Sequence, residues 1–293
     1  MLTKVLSLKL PTISGWYFIP AIIVILLSTL FLVHGSLSVS QEDVNAFIGS
    51  DFALYLLVGL AAQLVDGALG MAYGVTSTSF LLSLGVPPAI SSTSVHVAEM
   101  FTTGASAISH FRYKNINKKL FKSLLIPGVL GAITGAYLLS DVIDGDFVKP
   151  YIAAYMLILG LIIIRKALQK NLVKNKTKKI GILAAAGGFL DSIGGGGWGP
   201  IVTSTLLGQG RDPRYTIGSV NAAEFVIAFA SGVTFLIFTG VSSWQVVSGL
   251  IIGGVIAAPF GAMLVGKIKR KPLMLIIGVL VIGLSARTIW LSF

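Results

Sequence analysis

Residues 64–74 read LVDGALGMAYG, and residues 188–200 read GFLDSIGGGGWGP. Each stretch puts an acid and several glycines in the middle of an apolar run. The first run extends from Phe52 to Leu84 and the second from Ile180 to Leu207. As one straight helix the first would be roughly 50 Å long, against a hydrocarbon core of roughly 30 Å. The glycine-rich centre therefore marks a break, and each run reads as a helical hairpin that enters a membrane and returns. Irregular backbone at membrane depth is tolerated only where it is buried in protein or lines a water-filled cavity. The breaks are thus the first place to look for function.

The rest of the composition agrees with a membrane setting. The chain has 293 residues, 55% hydrophobic and 11% charged, with a mean hydropathy of +0.89. A soluble protein of this length needs more charge to cover its surface. There is no cysteine, which excludes disulfides, thiolate catalysis and cysteine metal sites. The net charge of +11 would suggest nucleic acid in a soluble protein. Here the basic residues gather in short loops between apolar spans, so nucleic acid is not expected and the lipid bilayer is the expected partner.

Full spans are expected at about 91–111, 120–140 and 149–166 after the first break, and at about 216–239, 244–265 and 272–291 after the second. Lys4 and Lys9 precede an apolar run from Trp16 to Val33. A signal peptide competes with this reading, but the run is long for one and no small-residue cleavage site follows, so an uncleaved first span is expected. With the N-terminus cytoplasmic and each hairpin returning to its own side, the clusters at 112–122, 165–179, 208–215 and 266–271 all fall inside. The loop at 140–149, with Asp141, Asp144 and Asp146, falls outside. The C-terminus is expected outside, and the location is the inner (cytoplasmic) membrane. Two complete short crossings per hairpin give the same parity.

Laying residue n over n+125 aligns the two halves, with 13 identities in the 34 columns from 66 to 99. Asp66 meets Asp191, Gly70 meets Gly195, Thr78 and Ser79 meet Thr203 and Ser204, Pro88 meets Pro213, and Glu99 meets Glu224. Each copy is one hairpin plus three spans. Three is odd, so the second copy lies inverted relative to the first, a pattern of secondary transporters whose site lies near the midplane between the copies. The expected fold class is therefore an all-α polytopic membrane protein. Its parts are an N-terminal span and outer loop (1–50), inverted repeat one (51–168), a basic cytoplasmic linker (169–179) and inverted repeat two (180–293), each repeat being a broken or re-entrant helical hairpin and three transmembrane helices.

LVDGALGMAYG followed by PPAISSTSVHVAE in the first half, and GFLDSIGGGGWGP followed by SVNAAE in the second, resemble the TauE/SafE family of sulfite exporters. The resemblance runs from about residue 51 onward. It implies outward movement of small sulfur-containing anions: sulfite, sulfoacetate and related organosulfonates. The second half departs from the first in having Asn221 where His96 stands, and in four consecutive glycines at 194–197.

The candidate site follows from the breaks. A helix restarting near Gly70 and near Gly197 exposes backbone N–H groups and a partial positive charge, a setting for an anion. The substrate-binding candidates are Gly67, Gly70, Met71, Tyr73, Thr78 and Ser79 in repeat one, Gly194, Gly195, Gly196, Gly197, Trp198, Thr203 and Ser204 in repeat two, and His96 with Asn221. The competing reading is that the glycines and hydroxyls allow close helix packing. Asp66 and Asp191 are read as caps on the restarting helices or as ligands of a coupling ion, proton or sodium. Ser92, His96, Glu99, Thr103, Ser106 and His110 recur every three or four residues and form one polar helix face, which must avoid lipid. Glu99 and Glu224 are either structural clamps or coupling groups, and His96 can share a protonation role. Of the arginines, Arg287 lies inside the last span, where it snorkels outward or points inward.

No metal site and no cofactor are expected. GxxxxGK[ST], HExxH and GxSxG are absent from the sequence, so a nucleotide-driven or catalytic reading has little to stand on. The expectation is a secondary transporter exporting a small sulfur anion by alternating access. The alternative is an anion channel, or a permease for a different small oxyanion.

Overall fold

The computed structural model describes residues 50–169, 179–240, 243–265 and 267–292. The expected N-terminal span and the centre of the basic linker, 170–178, lie outside the described residues. The described chain is built of helices: α1 (Ser50–Leu69), α2 (Tyr73–Ser83), α3 (Pro88–Arg112), α4 (Lys118–Tyr137), α5 (Gly145–Leu168), α6 (Ile180–Gly194), the short α7 (Ser204–Gly208), α8 (Pro213–Phe238), α9 (Trp244–Leu264) and α10 (Arg270–Leu291). Wider π-type turns extend α4 over Leu138–Val142 and lead into α7 over Gly199–Thr203. Among the described residues six helical stretches are long and apolar enough to cross a membrane, including α1, α4 with its extension, α5, α8, α9 and α10. The chain is an all-α, multi-pass membrane protein.

Local chemistry sets the helix ends. Asn117 accepts from the backbone N–H of Lys119 (3.0 Å) and Leu120 (3.2 Å) at the start of α4, and Asp212 accepts from Tyr215 N (3.3 Å) at the start of α8. Pro88 and Pro213 occupy the first position of α3 and α8, where a missing N–H costs nothing. Gly85 and Gly210 follow α2 and α7 in the left-handed region (φ +90° and +76°) that ends a helix cheaply only at glycine.

These boundaries repeat. α1 and α6 end 125 residues apart, as do α2 and α7, and the starts of α3 and α8 and of α5 and α10 keep the same offset. Packing repeats too. α1 lies along α9 and α4 lies along α6; α8 packs on α4 and α3 packs on α9; α5 pairs with α10 and α3 with α8. Exchanging the halves turns this set of partners into itself. The tightest seams are backbone against backbone: a Cβ on Gly135 would collide with Phe189 O on α6, and one on Gly253 with Leu56 O on α1. Lipid tails are as apolar as leucine, so such close approach, with its many dispersion contacts, is what holds helices together in a bilayer.

The first break differs from the sequence expectation. Asp66 and Gly67 lie inside the last turn of α1, which reaches Leu69, and the second helix starts at Tyr73 rather than near Gly70. Likewise the restart after the second break is at Gly199 rather than Gly197. The left-handed residues are Gly70 (φ +69°) and Gly195 (φ +72°), so each chain turns there, and the helix before it tolerates its acid and its other glycine. At 20 residues α1 is long enough to cross by itself, whereas α2 has 11 and α6 has 15, so the two arms of each hairpin are unequal.

Candidate functional site at the meeting of the two breaks

The two breaks touch, and they do so reciprocally. A Cβ on Gly70 would meet Thr203 Cγ2 at 3.0 Å, and one on Gly195 would meet Thr78 Cγ2 at 2.6 Å. A Cβ on Gly74 would meet Gly196 Cα at 3.0 Å, and one on Gly199 would meet Met71 Cβ at 2.7 Å. Each contact is the other with the halves exchanged. Thr78 Oγ1 also donates to Gly195 O across the junction. Glycine is required here by proximity: backbone of one break fills the space a side chain would take in the other.

The break aspartates hold the irregular backbone. Asp66 Oδ1 accepts from Ala72 N (3.0 Å) and Asp191 Oδ1 accepts from Trp198 N (2.9 Å), each reaching across its own break to the restarting chain. A buried N–H left bare costs about 1–3 kcal/mol, so each carboxylate stabilises its break directly. One N–H at each restart is therefore already matched by the protein's own carboxylate.

Behind the aromatic position each half has an anchor. Tyr73 and Trp198 are equivalent at the 125-residue offset, and both are fully buried. The Tyr73 phenol donates to Leu250 O on α9 (3.2 Å), and the Trp198 indole N–H donates to Val220 O on α8 (3.3 Å). Among the substrate-binding candidates, these two side chains thus point into helix packing. So does Gly67, which faces Gly261 on α9 (3.0 Å from an added Cβ). Gly194 and Gly197 face the ring and the hydroxyl of Tyr155 on α5. Ser79 and Ser204 are buried, and Ser204 donates to Pro200 O on its own turn.

The polar face of α3 is buried throughout: Ser92, His96, Glu99, Thr103, Ser106 and His110 are each at most 1% exposed. It runs against the second half. Ser92 Oγ donates to Ser192 O (2.9 Å), and His96 Nε2 lies 3.4 Å from Asp191 Oδ2. Asn221 on α8 lies near the Asp66 carboxyl, and its Nδ2 reaches Ser106 Oγ at 3.0 Å and His110 Nε2 at 3.4 Å. So residue 96 approaches the aspartate of the opposite half, and residue 221 lies near the other one. Asp66, Glu99, Asp191 and Glu224 are all buried (1–4% exposed) and lie close enough to interact with one another. No lysine or arginine among the described residues is buried with them. Charges of one sign cannot gather in a low-dielectric core uncompensated, so these acids are not all charged together unless protons or another cation are held among them. His96, Glu99 and Asp191 bring a donor atom each within 4.8 Å of one another.

Two features were missed in the sequence. Gln63, an amide inside α1, is fully buried, and Tyr155 projects from α5 onto the second break. Both break an apolar pattern only singly, and neither recurs in the other half. The sequence reading also missed a basic vestibule. Lys166 at the end of α5 and Arg270 and Lys271 at the start of α10 line a cavity of about 170 Å³ with Ser204, Leu207 and Gly208 of the second hairpin. In the sequence these cations read only as markers of the inner side. Arg214 likewise does more than mark a side: it donates to Asn115 Oδ1 and Tyr113 O (both 2.6 Å), tying the α3–α4 loop to α8. Arg287 donates to Ser83 O at the end of α2, so it neither snorkels freely nor enters the junction.

The sequence profile described as "Sulfite exporter TauE/SafE" matches residues 55–288, which includes both breaks and every helix that packs on them. The chain belongs to the TauE/SafE family. It is 44% identical over 246 residues to "Probable membrane transporter protein YtnM" of Bacillus subtilis (strain 168), covering 80% of this chain and 82% of the relative. Two further proteins of that strain are similar over most of their length: "Probable membrane transporter protein YunE" (21% identical, 82% of this chain and 97% of the relative) and "Probable membrane transporter protein YjnA" (25%, 78% and 97%). No solved structure matches. This TauE/SafE chain is thus a membrane transporter by family and by its named relatives.

Proposed function

We propose that the protein is a secondary transporter that exports a small sulfur-containing oxyanion, sulfite or an organosulfonate such as sulfoacetate, across the cytoplasmic membrane by alternating access. The observation that carries this reading is the junction itself. Two broken helices, one from each half, press glycine backbone on glycine backbone in the interior, with contacts that exchange when the halves exchange. A barrier made of two equivalent pieces can open on either side by parting one pair of contacts and keeping the other. The family description, sulfite exporter, supports the substrate class.

The vestibule supports the direction. Lys166, Arg270 and Lys271 lie in the clusters that the positive-inside rule puts on the cytoplasmic face, next to the second hairpin. A basic funnel there raises the local concentration of an anion before it reaches the junction. The junction hydroxyls of Thr78 and Thr203, released from the opposite break when the two separate, then supply donors to sulfur-bound oxygens. The two halves are proposed to be inverted copies, with the break segments as the moving parts.

Reconstituted vesicles test this. Preloaded sulfite, sulfoacetate, taurine, thiosulfate or sulfate should drive saturable counterflow of the labelled congener for at least the sulfite or sulfonate members. Counterflow by none of them, or voltage-dependent current far above carrier rates, would refute the reading, the second in favour of an anion channel.

A further inference from the structure

We propose that His96 and Asp191 hold one releasable proton between the two halves, and that this proton is the co-substrate of the anion. The inference rests on the transporter reading only for its second clause. His96 is fully buried, and its Nδ1 lies 2.8 Å from Ser92 O. A carbonyl only accepts, so Nδ1 carries a hydrogen. In the neutral ring Nε2 is then an acceptor, yet it points at Asp191 Oδ2 from 3.4 Å, with no hydrogen-bond partner of its own. Asp191 is committed on its other oxygen to Trp198 N. Two acceptors facing each other in a buried site repel, and a proton between them turns the repulsion into a charge-assisted contact.

The second half supplies an internal comparison. Residue 221 is the equivalent of residue 96 and faces Asp66, the equivalent of Asp191. There the sequence has asparagine, whose amide always carries hydrogens. Those hydrogens are turned toward Ser106 Oγ (3.0 Å) and His110 Nε2 (3.4 Å). An amide cannot release its hydrogens, whereas an imidazolium can. Of the two equivalent positions, residue 96 alone can therefore bind and release a proton.

The surroundings set the sign of its effect. The titratable groups that face this pair are Asp66 from α1, Glu99 from α3 itself, Tyr155 from α5 and Glu224 from α8, with Tyr73 from α2 beside Glu99 and Asp66; α9, which also packs on α3, carries no charged residue. Phe235 of α8 covers the ring at 5.4 Å between centroids. With the proton, His96 and Asp191 are neutral as a pair. When it passes to water, the pair keeps the carboxylate's negative charge beside other acids. An incoming anion is repelled by the second state more than by the first, so proton and anion occupy the junction together.

Nuclear magnetic resonance of ¹⁵N-histidine protein in lipid nanodiscs tests the proton directly, since the chain has three histidines and His96→Asn identifies the signal. His96 should carry hydrogen on both nitrogens at neutral pH and lose the one on Nε2 as pH rises; Asp191→Asn should convert it to the neutral Nδ1–H form. In vesicles, the protons moved per anion should fall to background in His96→Asn, whatever counterflow rate remains. A His96 that stays neutral from about pH 5 to about pH 8, where histidine ordinarily changes charge, overturns the proposal. So does proton movement that survives His96→Asn, or a stoichiometric divalent metal that shifts the His96 signal in its place. A titrating His96 in a protein with no counterflow for any sulfur anion would leave the proton site standing and remove the transport reading.

Discussion

Replacing Gly196 by alanine puts the junction under direct test. The added Cβ would lie 2.7 Å from Gly74 C and 2.8 Å from Val75 Cα, and closer still to Val75 N. All three are backbone atoms, so no side chain can swing aside. Carbon atoms prefer about 3.5–4.0 Å, so the breaks must part by about 1 Å. Overpacking of this kind costs about 1–3 kcal/mol. At roughly 2–4 °C per kcal/mol for chains of more than 150 residues, the unfolding midpoint should drop by about 3–10 °C. The matched control is Gly181→Ala on α6, where the nearest atom, Pro127 Cγ, is 3.4 Å from the new carbon. That change should be neutral, or stabilising by at most about 1 kcal/mol through helix propensity. Thermal unfolding of both variants in one detergent, with counterflow in vesicles, makes the comparison. Equal midpoints for the two would refute the claim that the breaks meet backbone to backbone.

Other consequences can be checked more simply. Asn117→Ala removes the cap of α4 and should cost about 1 kcal/mol, read as a lowered midpoint with counterflow unchanged above it. Lys166→Gln combined with Lys271→Gln should slow anion uptake into the vestibule at low ionic strength, and the deficit should shrink as salt screens the field. A deficit independent of salt would mean that these cations act by contact, not by focusing. Asn221→His should give the second junction contact a donor that can also leave, visible as a further titrating histidine signal.

Much of the architecture could be read from residue order because membrane helices advertise themselves by length and by loop charge. The spans after each break lie within a few residues of their expected positions, and the 125-residue offset reappears in helix ends where the two residues differ, such as Leu69 and Gly194. The polar face of α3 was legible for the same reason: a three-four rhythm of Ser, His, Glu and Thr has no other use in lipid. Detail inside the breaks was not legible. An acid next to glycine looks like a helix end, and only the torsion at Gly70, three residues later, shows where the chain turns. The partners of Asp66 and Asp191 were half legible. Their forward reach to Ala72 and Trp198 is local, while their approach to Asn221 and His96 spans the two halves and leaves no trace in either half alone. Tyr73 and Trp198 look like ligand-binding aromatics beside a glycine-rich stretch. Their carbonyl partners, which make them packing anchors, lie 177 and 22 residues away. The vestibule escaped notice because its lysines and arginine come from two helix ends about a hundred residues apart, each explained well enough by topology.

The contacts at the junction join unlike positions: Gly70 with Thr203, and Gly195 with Thr78. In an assembly of two identical subunits, those would be one contact present twice, and any mutation would strike both. Fusion of the halves into a single polypeptide removes that constraint. A change at residue 96 alters one junction and spares its twin, so symmetric architecture can be inherited unchanged while chemical asymmetry accumulates one residue at a time. Selection can then tune the two contacts separately, which no homodimer of the same shape can do.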